Sequence, residues 1–310
     1  MDITSKKNIK NLLKRRHIQP SKGLGQNFLI ERKAVKKIIE AANLNINDTV
    51  LEIGAGKGII TKVLLKKAGN VVVFEIDEEF VSILKSIPDN KLVVKNGNFL
   101  DFDLPKGKYK VFANIPFNKT SEIIKRLLFS NNPPTDTYLV VQKEAVDRFA
   151  GKPFNDKNNL LSVLFNPWFE FSITHNFNRT DFKPTPNVDT VLLNIKLRSN
   201  PKVLDQDKET YRDFVVFGFN QMAPNILEGL SKVINKNHII KLFNKLNIST
   251  NLKPTELDKD IWIDIFDLLK YQKQNKRNLI KNSYIKWVKQ QENIEKINRT
   301  RNDTDWKSYK

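Results

Sequence analysis

Leu51-Glu52-Ile53-Gly54-Ala55-Gly56-Lys57-Gly58 decides the fold. An apolar run, Thr49–Ile53, enters a glycine turn, and helical spacing follows from Ile59 to Lys67. Glycines in such a turn let the backbone approach a ligand closely at the carboxyl end of a first strand, where open α/β sheets bind cofactors. The next apolar run, Val71–Glu75, ends in Glu75-Ile76-Asp77, about twenty residues on, the usual place for an acid that accepts hydrogen bonds from two ribose hydroxyls. These two features fit a nicotinamide dinucleotide and S-adenosylmethionine equally, because the turn alone is a weak signal.

Outward from this unit, further strands are expected at Lys91–Lys95, Lys110–Asn114, Thr137–Val141, Trp168–Thr174 and Val191–Leu197. Helical patterns fall between the earlier ones, at Glu78–Ser86, Thr120–Phe129 and Lys143–Phe149. Alternation of this kind builds βαβ units around a parallel sheet. The last two strands flank a Pro-rich loop, Lys183 to Asn187, and are expected to close one sheet edge as a hairpin. Before the first strand, Val35, Ile38, Ile39 and Ala42 share one helical face. After Asn200 only helical spacing remains, at Tyr211–Gln221, Ile226–Ile234, Ile239–Leu246 and Ile261–Leu269. The fold class is therefore α/β, a Rossmann-like sheet with a second, smaller all-helical domain. The expected boundaries are a basic tail at 1–22, a catalytic domain at 23–200, a helical domain at 201–270 and a basic extension at 271–310.

Composition narrows the chemistry. The 310 residues contain no cysteine, which excludes disulfides, thiolate nucleophiles and Cys-based zinc sites. His17, His175 and His238 are scattered, so no metal is expected. No run of about 18 apolar residues is present, and Met1 to Lys22 lacks the apolar core of a secretory signal. A cytoplasmic, monomeric protein without a membrane partner is expected. The formal net charge is +19, unevenly placed. Residues 1–22 carry seven basic side chains against one acidic, and residues 271–310 carry eleven against four. Basic ends attract a polyphosphate such as a nucleic acid; a solubility tail or an anionic membrane contact would look the same. Within the extension Ile280, Tyr284, Trp287, Val288 and Ile294 keep a broken apolar stripe, compatible with a docked helix, one that forms on binding, or none.

The decisive motif is Asn114-Ile115-Pro116-Phe117, at the end of the fourth strand, which resembles the (Asn/Asp)-(Pro/Ile)-Pro-(Tyr/Phe) pattern of amino-group methyltransferases and so implies an amine such as adenine N6 as methyl acceptor. An adenine N6 lone pair is delocalised into the ring and is a poor nucleophile. The Asn114 side-chain oxygen and the Ile115 carbonyl can accept its two N–H groups, and they stabilise the positive charge that develops as nitrogen attacks a sulfonium methyl. Pro116 fixes the turn, and Phe117 offers a flat face to a base removed from its stack. The methylated amine is acidic, so no dedicated base is needed.

At this point the chain resembles the ribosomal RNA adenine N6-dimethyltransferase family, which includes the Erm macrolide-resistance enzymes and the KsgA enzymes. The resemblance covers about Gly23 to Lys270 and implies a class I methyltransferase sheet with S-adenosyl-L-methionine as cofactor. Gly25-Gln26-Asn27-Phe28-Leu29 matches the family's opening segment, and Asn27 and Leu29 match cofactor contacts. Gly54, Gly56, Glu75 and Asn114 match further cofactor-binding positions. Asn98 stands where the family carries an Asp that accepts from the cofactor's adenine amine; it keeps an acceptor oxygen but loses the charge. Phe182-Lys183-Pro184-Thr185-Pro186-Asn187-Val188-Asp189 resembles a family segment whose leading Phe182 is expected to stack on the target adenine. Phe117 replaces the more common Tyr. Asn114-Ile115-Pro116-Phe117-Asn118-Lys119-Thr120 is closer to the Erm branch than to KsgA. That implies methylation of an adenine in 23S rRNA and resistance to macrolides. The alternatives are KsgA-type dimethylation of 16S rRNA and a non-catalytic RNA-binding protein on the same scaffold. Ribosomal RNA, 23S by preference, is the expected partner.

Overall fold

The structure, a computed structural model, describes residues 28–30 and 32–291. The chain forms two compact units. One takes the described residues up to Asp147 together with Phe169–Ser199; the other takes Arg148–Trp168 and the described residues from Asn200 onward.

The first unit is built on a seven-stranded sheet in the order β4-β3-β2-β5-β6-β9-β7. Its strands are β2 (Thr49–Ile53), β3 (Asn70–Glu75), β4 (Leu92–Asn96), β5 (Lys110–Asn114), β6 (Asp136–Gln142), β7 (Phe169–Asn176) and β9 (Thr190–Leu197). The first five are parallel; β9 pairs antiparallel with both β6 and β7, which is the edge hairpin expected from sequence. Val50, Leu51, Val71, Val73, Val111 and Leu139 are buried, as both faces of a covered parallel sheet require. A separate two-stranded piece pairs β1 (Phe28–Leu29) with β8 (Phe182–Lys183).

Helix α1 (Arg32–Ala41) buries Val35, Ile38 and Ile39, the face read from the sequence. Helix α3 (Glu78–Lys85) begins where the Asp77 carboxylate accepts from the Glu79 and Phe80 amides, a cap that contributes about 1 kcal/mol. Glu78 and Glu79 in its first turn and Lys85 in its last oppose the helix dipole. The helix expected from Ile59 to Lys67 is shorter: α2 spans only Thr61–Leu64. Gly54, Gly56 and Gly58 all have positive φ, so the turn runs on to Gly58. At the other end Lys66 and Lys67 donate to carbonyls three residues back, tightening the chain out of α geometry. Helices α4 (Thr120–Leu128) and α5 (Lys143–Ala150) fall within a residue of expectation.

The helical unit contains α6 (Leu160–Phe165), α7 (Lys208–Phe219), α8 (Ile226–Leu230), α9 (Lys236–Lys245), α10 (Lys259–Lys270) and α11 (Gln274–Asn278). The unit takes up the chain at Asn200, near the expected boundary, but it also includes 148–168, and with it α6, which no sequence pattern announced. Leu161, Ser162, Val163, Leu164 and Phe165 are all buried, so α6 has no polar face and no amphipathic period. Its start is set by Asn159, whose side chain accepts from the Leu161 and Ser162 amides while the Ser162 hydroxyl accepts from the Asn159 amide. The Tyr211 hydroxyl donates to the Val163 carbonyl at 3.1 Å. Trp262 stacks on Phe219 and lies against Gly218, where a Cβ would come within 2.8 Å of the indole. After α11 the chain is helical again over 283–291. Among the described residues no helix is long and apolar enough to cross a membrane.

Candidate functional site

The strand order reverses about β2, which pairs with β3 on one side and β5 on the other, so β2 and β5 flank a topological switch point. Open α/β sheets place their ligand crevice outside the carboxyl ends of such strands. Register does the rest. Ile53 stands beside Phe74 of β3 and Ala113 of β5, so the next residues along the three strands, Gly54, Glu75 and Asn114, emerge at one level. Glu75 in turn pairs with Asn96, which brings Gly97 and Asn98 to the same edge. Four motifs spread over more than sixty residues of sequence thus meet at the rim of one cleft. That cleft is lined by Leu29, Gly54, Gly56, Glu75, Asn98, Asn114 and Pro116, among others.

The glycine turn forms the floor. Gly54 has φ +71°, and a Cβ built there would meet nothing within 4 Å, so its backbone borders open space. Gly56, at φ +52°, would press a Cβ to 3.2 Å from the Phe28 ring. Glu75 is 4% exposed. Its Oε2 accepts from the Gly56 amide at 2.7 Å, and its Oε1 accepts from the amides of Ile76 (2.8 Å) and Asp77 (3.0 Å). A carboxylate offers about four acceptor positions, so three are occupied and Oε2 keeps one for a ligand hydroxyl. Glu75 therefore also holds the glycine turn in shape, a task the sequence did not reveal.

Asn98 is exposed, and its Oδ1 accepts from the Leu100 amide at 3.2 Å, capping the short turn Phe99–Asp101. Phe99 meets Phe74 edge-on at 5.2 Å and makes the wall beside it apolar. Asn114 is half-buried on the opposite side. The Ile115 side chain is buried in the core, which leaves its main chain as the part that can serve a ligand. Pro116 lines the cleft, and the chain then turns through Phe117–Lys119 into α4.

Not every expected residue joins this cleft. Phe117 is half-buried and is not part of its lining. Phe182 requires a correction. It is 2% exposed, set edge-on to Phe177 at 5.3 Å, and paired through β8 with Leu29, so its ring belongs to the core and presents no face to a base. What it does instead is fix β1, and with it Leu29, against the cleft. Asn27 lies outside the described residues.

Among the cleft residues that escaped the sequence reading, Glu52 stands out. Next to the carboxyl end of β2, it is 1% exposed, and burial together with the negative charge of Glu75 pushes its carboxyl up to about 8. At neutral pH it is held as the neutral acid. The available signal was an acid flanked by Leu51 and Ile53 in a strand otherwise apolar enough to be central.

Comparisons with known proteins agree on the family and divide on the ribosomal subunit. A family profile described as ribosomal RNA adenine dimethylase matches residues 19–271. A ribosomal RNA small subunit methyltransferase A of Mycoplasma mycoides subsp. mycoides is 31% identical over 261 residues, covering 81% of this chain and 98% of that protein. An rRNA adenine N-6-methyltransferase of Bacillus licheniformis is 29% identical, covering 82% and 91%. Among solved structures, the 23S rRNA methyltransferase ErmE superposes with a TM-score of 0.71 at 25% identity, over 79% of this chain and all of that one.

Proposed function

The chain belongs to the ribosomal RNA adenine dimethylase family, and on that premise we propose that it transfers one or two methyl groups from S-adenosylmethionine to N6 of an adenine in 23S rRNA. The observation that carries this reading is the convergence of Gly54, Glu75 and Asn114 at one level of the sheet, beside the switch point. The open space over Gly54 is the kind of cradle a nucleoside-bearing cofactor needs, since any side chain there would fill it.

When bound, the cofactor supplies an electrophilic sulfonium methyl. Leu29, Gly54 and Gly56 would hold it through backbone and apolar contact. Glu75 would accept from the ribose with its remaining lone pair, and Asn98 would accept from the adenine amine. Asn114 and the Ile115 carbonyl would take the two N–H groups of the target amine, which favours a pyramidal nitrogen and stabilises its growing positive charge. Phe117 would stack on the extruded base. The proton leaves an amine made acidic by methylation and passes to solvent.

The 23S target is favoured by the run Asn114-Ile115-Pro116-Phe117-Asn118-Lys119-Thr120 and by the likeness to ErmE over that enzyme's whole length. On this reading, methylation protects ribosomes against macrolide-type antibiotics. A 16S target is the second reading, favoured by the small-subunit name of the Mycoplasma mycoides relative. The deciding experiment incubates the purified protein and S-adenosylmethionine with unmethylated 23S and 16S transcripts, then maps methylated adenines by mass spectrometry. Methylation confined to 23S is expected. A mark found only in 16S would move the assignment to the second reading, and none in either would end both.

A further inference from the structure

The family match stops at residue 271, but ordered structure does not. Residues 272–291 contain six cations, Lys273, Lys276, Arg277, Lys281, Lys286 and Lys289, and no acid. Between residues 23 and 270 the balance is 35 basic to 29 acidic, so this segment differs in kind from the body.

The segment is fastened to the helical unit at several points. Ile280 is 2% exposed. The Asp213 carboxylate on α7 accepts from the Asn282 amide at 2.9 Å and the Tyr284 amide at 2.8 Å, capping the helical stretch 283–291 from outside. The Arg212 guanidinium lies 5.2 Å over the Tyr284 ring and 6.0 Å from Trp168 on its other side. Tyr284, Trp287 and Val288 are half-buried on the side that faces the unit, whereas Lys281, Ile285, Lys286 and Lys289 are exposed on the other. None of the exposed lysines is paired with a carboxylate among the described residues. A helix that spends one face on docking and presents cations beside Ile285, with no acid, on the other is a fixed electrostatic surface rather than a loose solubility tail.

We propose that residues 272–291 form an RNA-contacting surface, docked on the helical unit, whose exposed lysines neutralise backbone phosphates of the ribosomal RNA substrate. The proposal rests on the assignment of an RNA substrate above. Its chemistry requires no base recognition: point charges on a stiff support position a polyanion without reading its sequence. Fastening matters because a docked helix loses little further entropy when RNA arrives.

The test replaces four exposed lysines, Lys273→Gln, Lys281→Gln, Lys286→Gln and Lys289→Gln, together, leaving Asp213, Arg212 and Tyr284 untouched. Binding of full-length protein to unmethylated ribosomal RNA transcripts is measured across a salt series. Each lost phosphate contact flattens the plot of log affinity against log salt by about 0.7–0.9, so the variant should show a slope shallower by about 3. Affinity near physiological salt should fall at least about tenfold, with an unchanged melting temperature. A wild-type protein that methylates the transcripts, with a slope unmoved by the substitutions, refutes the surface and leaves the proposed function standing. A wild-type protein with the steeper slope that methylates no adenine supports the surface and refutes the proposed function. Retention of RNA affinity with loss of binding to phosphatidylserine-containing vesicles would overturn the proposal in favour of a membrane contact.

Discussion

Replacing Glu52 by glutamine should remove a large part of the pH dependence of this protein's stability. The folded carboxyl sits near 8 against an ordinary value of 4.5, because it is buried in β2 beside the charge of Glu75. Between these two values the folded chain holds a proton that the unfolded chain has released, so stability falls as pH rises through that window. At about 1.4 kcal/mol per pH unit of difference, the full effect is at most roughly 5 kcal/mol, reached above pH 8 and absent below pH 4.5. That is on the order of half the stability of an ordinary domain. An amide of the same shape never ionises, so Glu52→Gln should match or trail the wild type near pH 5. It should gain on it steadily, by several kcal/mol, toward pH 8.5. The measurement is urea unfolding followed by circular dichroism at four pH values between 5 and 8.5. Parallel stability curves for the two proteins would show that Glu52 does not titrate in this window.

Other outcomes follow from the same geometry. Gly54→Ala places a methyl into the open cleft at φ +71°, and should weaken S-adenosylmethionine binding at least about tenfold by calorimetry, while strain lowers stability by only about 1–2 kcal/mol. Glu75→Ala removes a charged acceptor, so binding should weaken by about 1.5–3 kcal/mol; because three amides, the buried Gly56 amide among them, lose their partner, its melting temperature should fall too, and a normal melting curve would contradict the clamp. Asn114→Ala should cost about 10²-fold or more in turnover, and Phe117→Ala should do similar damage that Phe117→Tyr avoids; wild-type rates in Phe117→Ala would remove the stacking role. Phe182→Ala should act as a core truncation of about 3–5 kcal/mol, visible in denaturation; lost methylation with intact stability would restore the base-stacking expectation that the structure corrects.

Much of this site was legible because its strands are buried and short. Val71–Glu75 announces itself as a β-branched run and Lys110–Asn114 as a short apolar one, and their ends necessarily lie at the carboxyl edge of a parallel sheet. Register is different: that Ile53, Phe74 and Ala113 align is a property of pairing, which no single segment encodes, although it is what brings Gly54, Glu75 and Asn114 together. Glu52 was passed over because a strand motif draws attention to its glycines. Phe182 was misread because a resemblance carries a residue's position more reliably than its burial, and two residues of pairing with β1 suffice to turn the ring inward. Helix α6 escaped since periodicity needs a contrast between faces, and a run buried on every side has none.

The interleaving of the two units bears on how the chain is made. Residues 148–168 leave the ribosome well before α7, whose Tyr211 will bind the Val163 carbonyl, so Leu160–Phe165 must wait through the synthesis of β7, β8 and β9. During that interval this largely apolar hexapeptide has only neighbours from 148–168, such as the Phe149 ring 6.3 Å from Phe165, to pack on within its own unit. It is a natural target for a chaperone, and a nascent chain halted near Asn200 would expose it permanently. A fragment ending there, though it contains every strand of the sheet, should for that reason aggregate unless 148–168 is also bridged by a short polar linker.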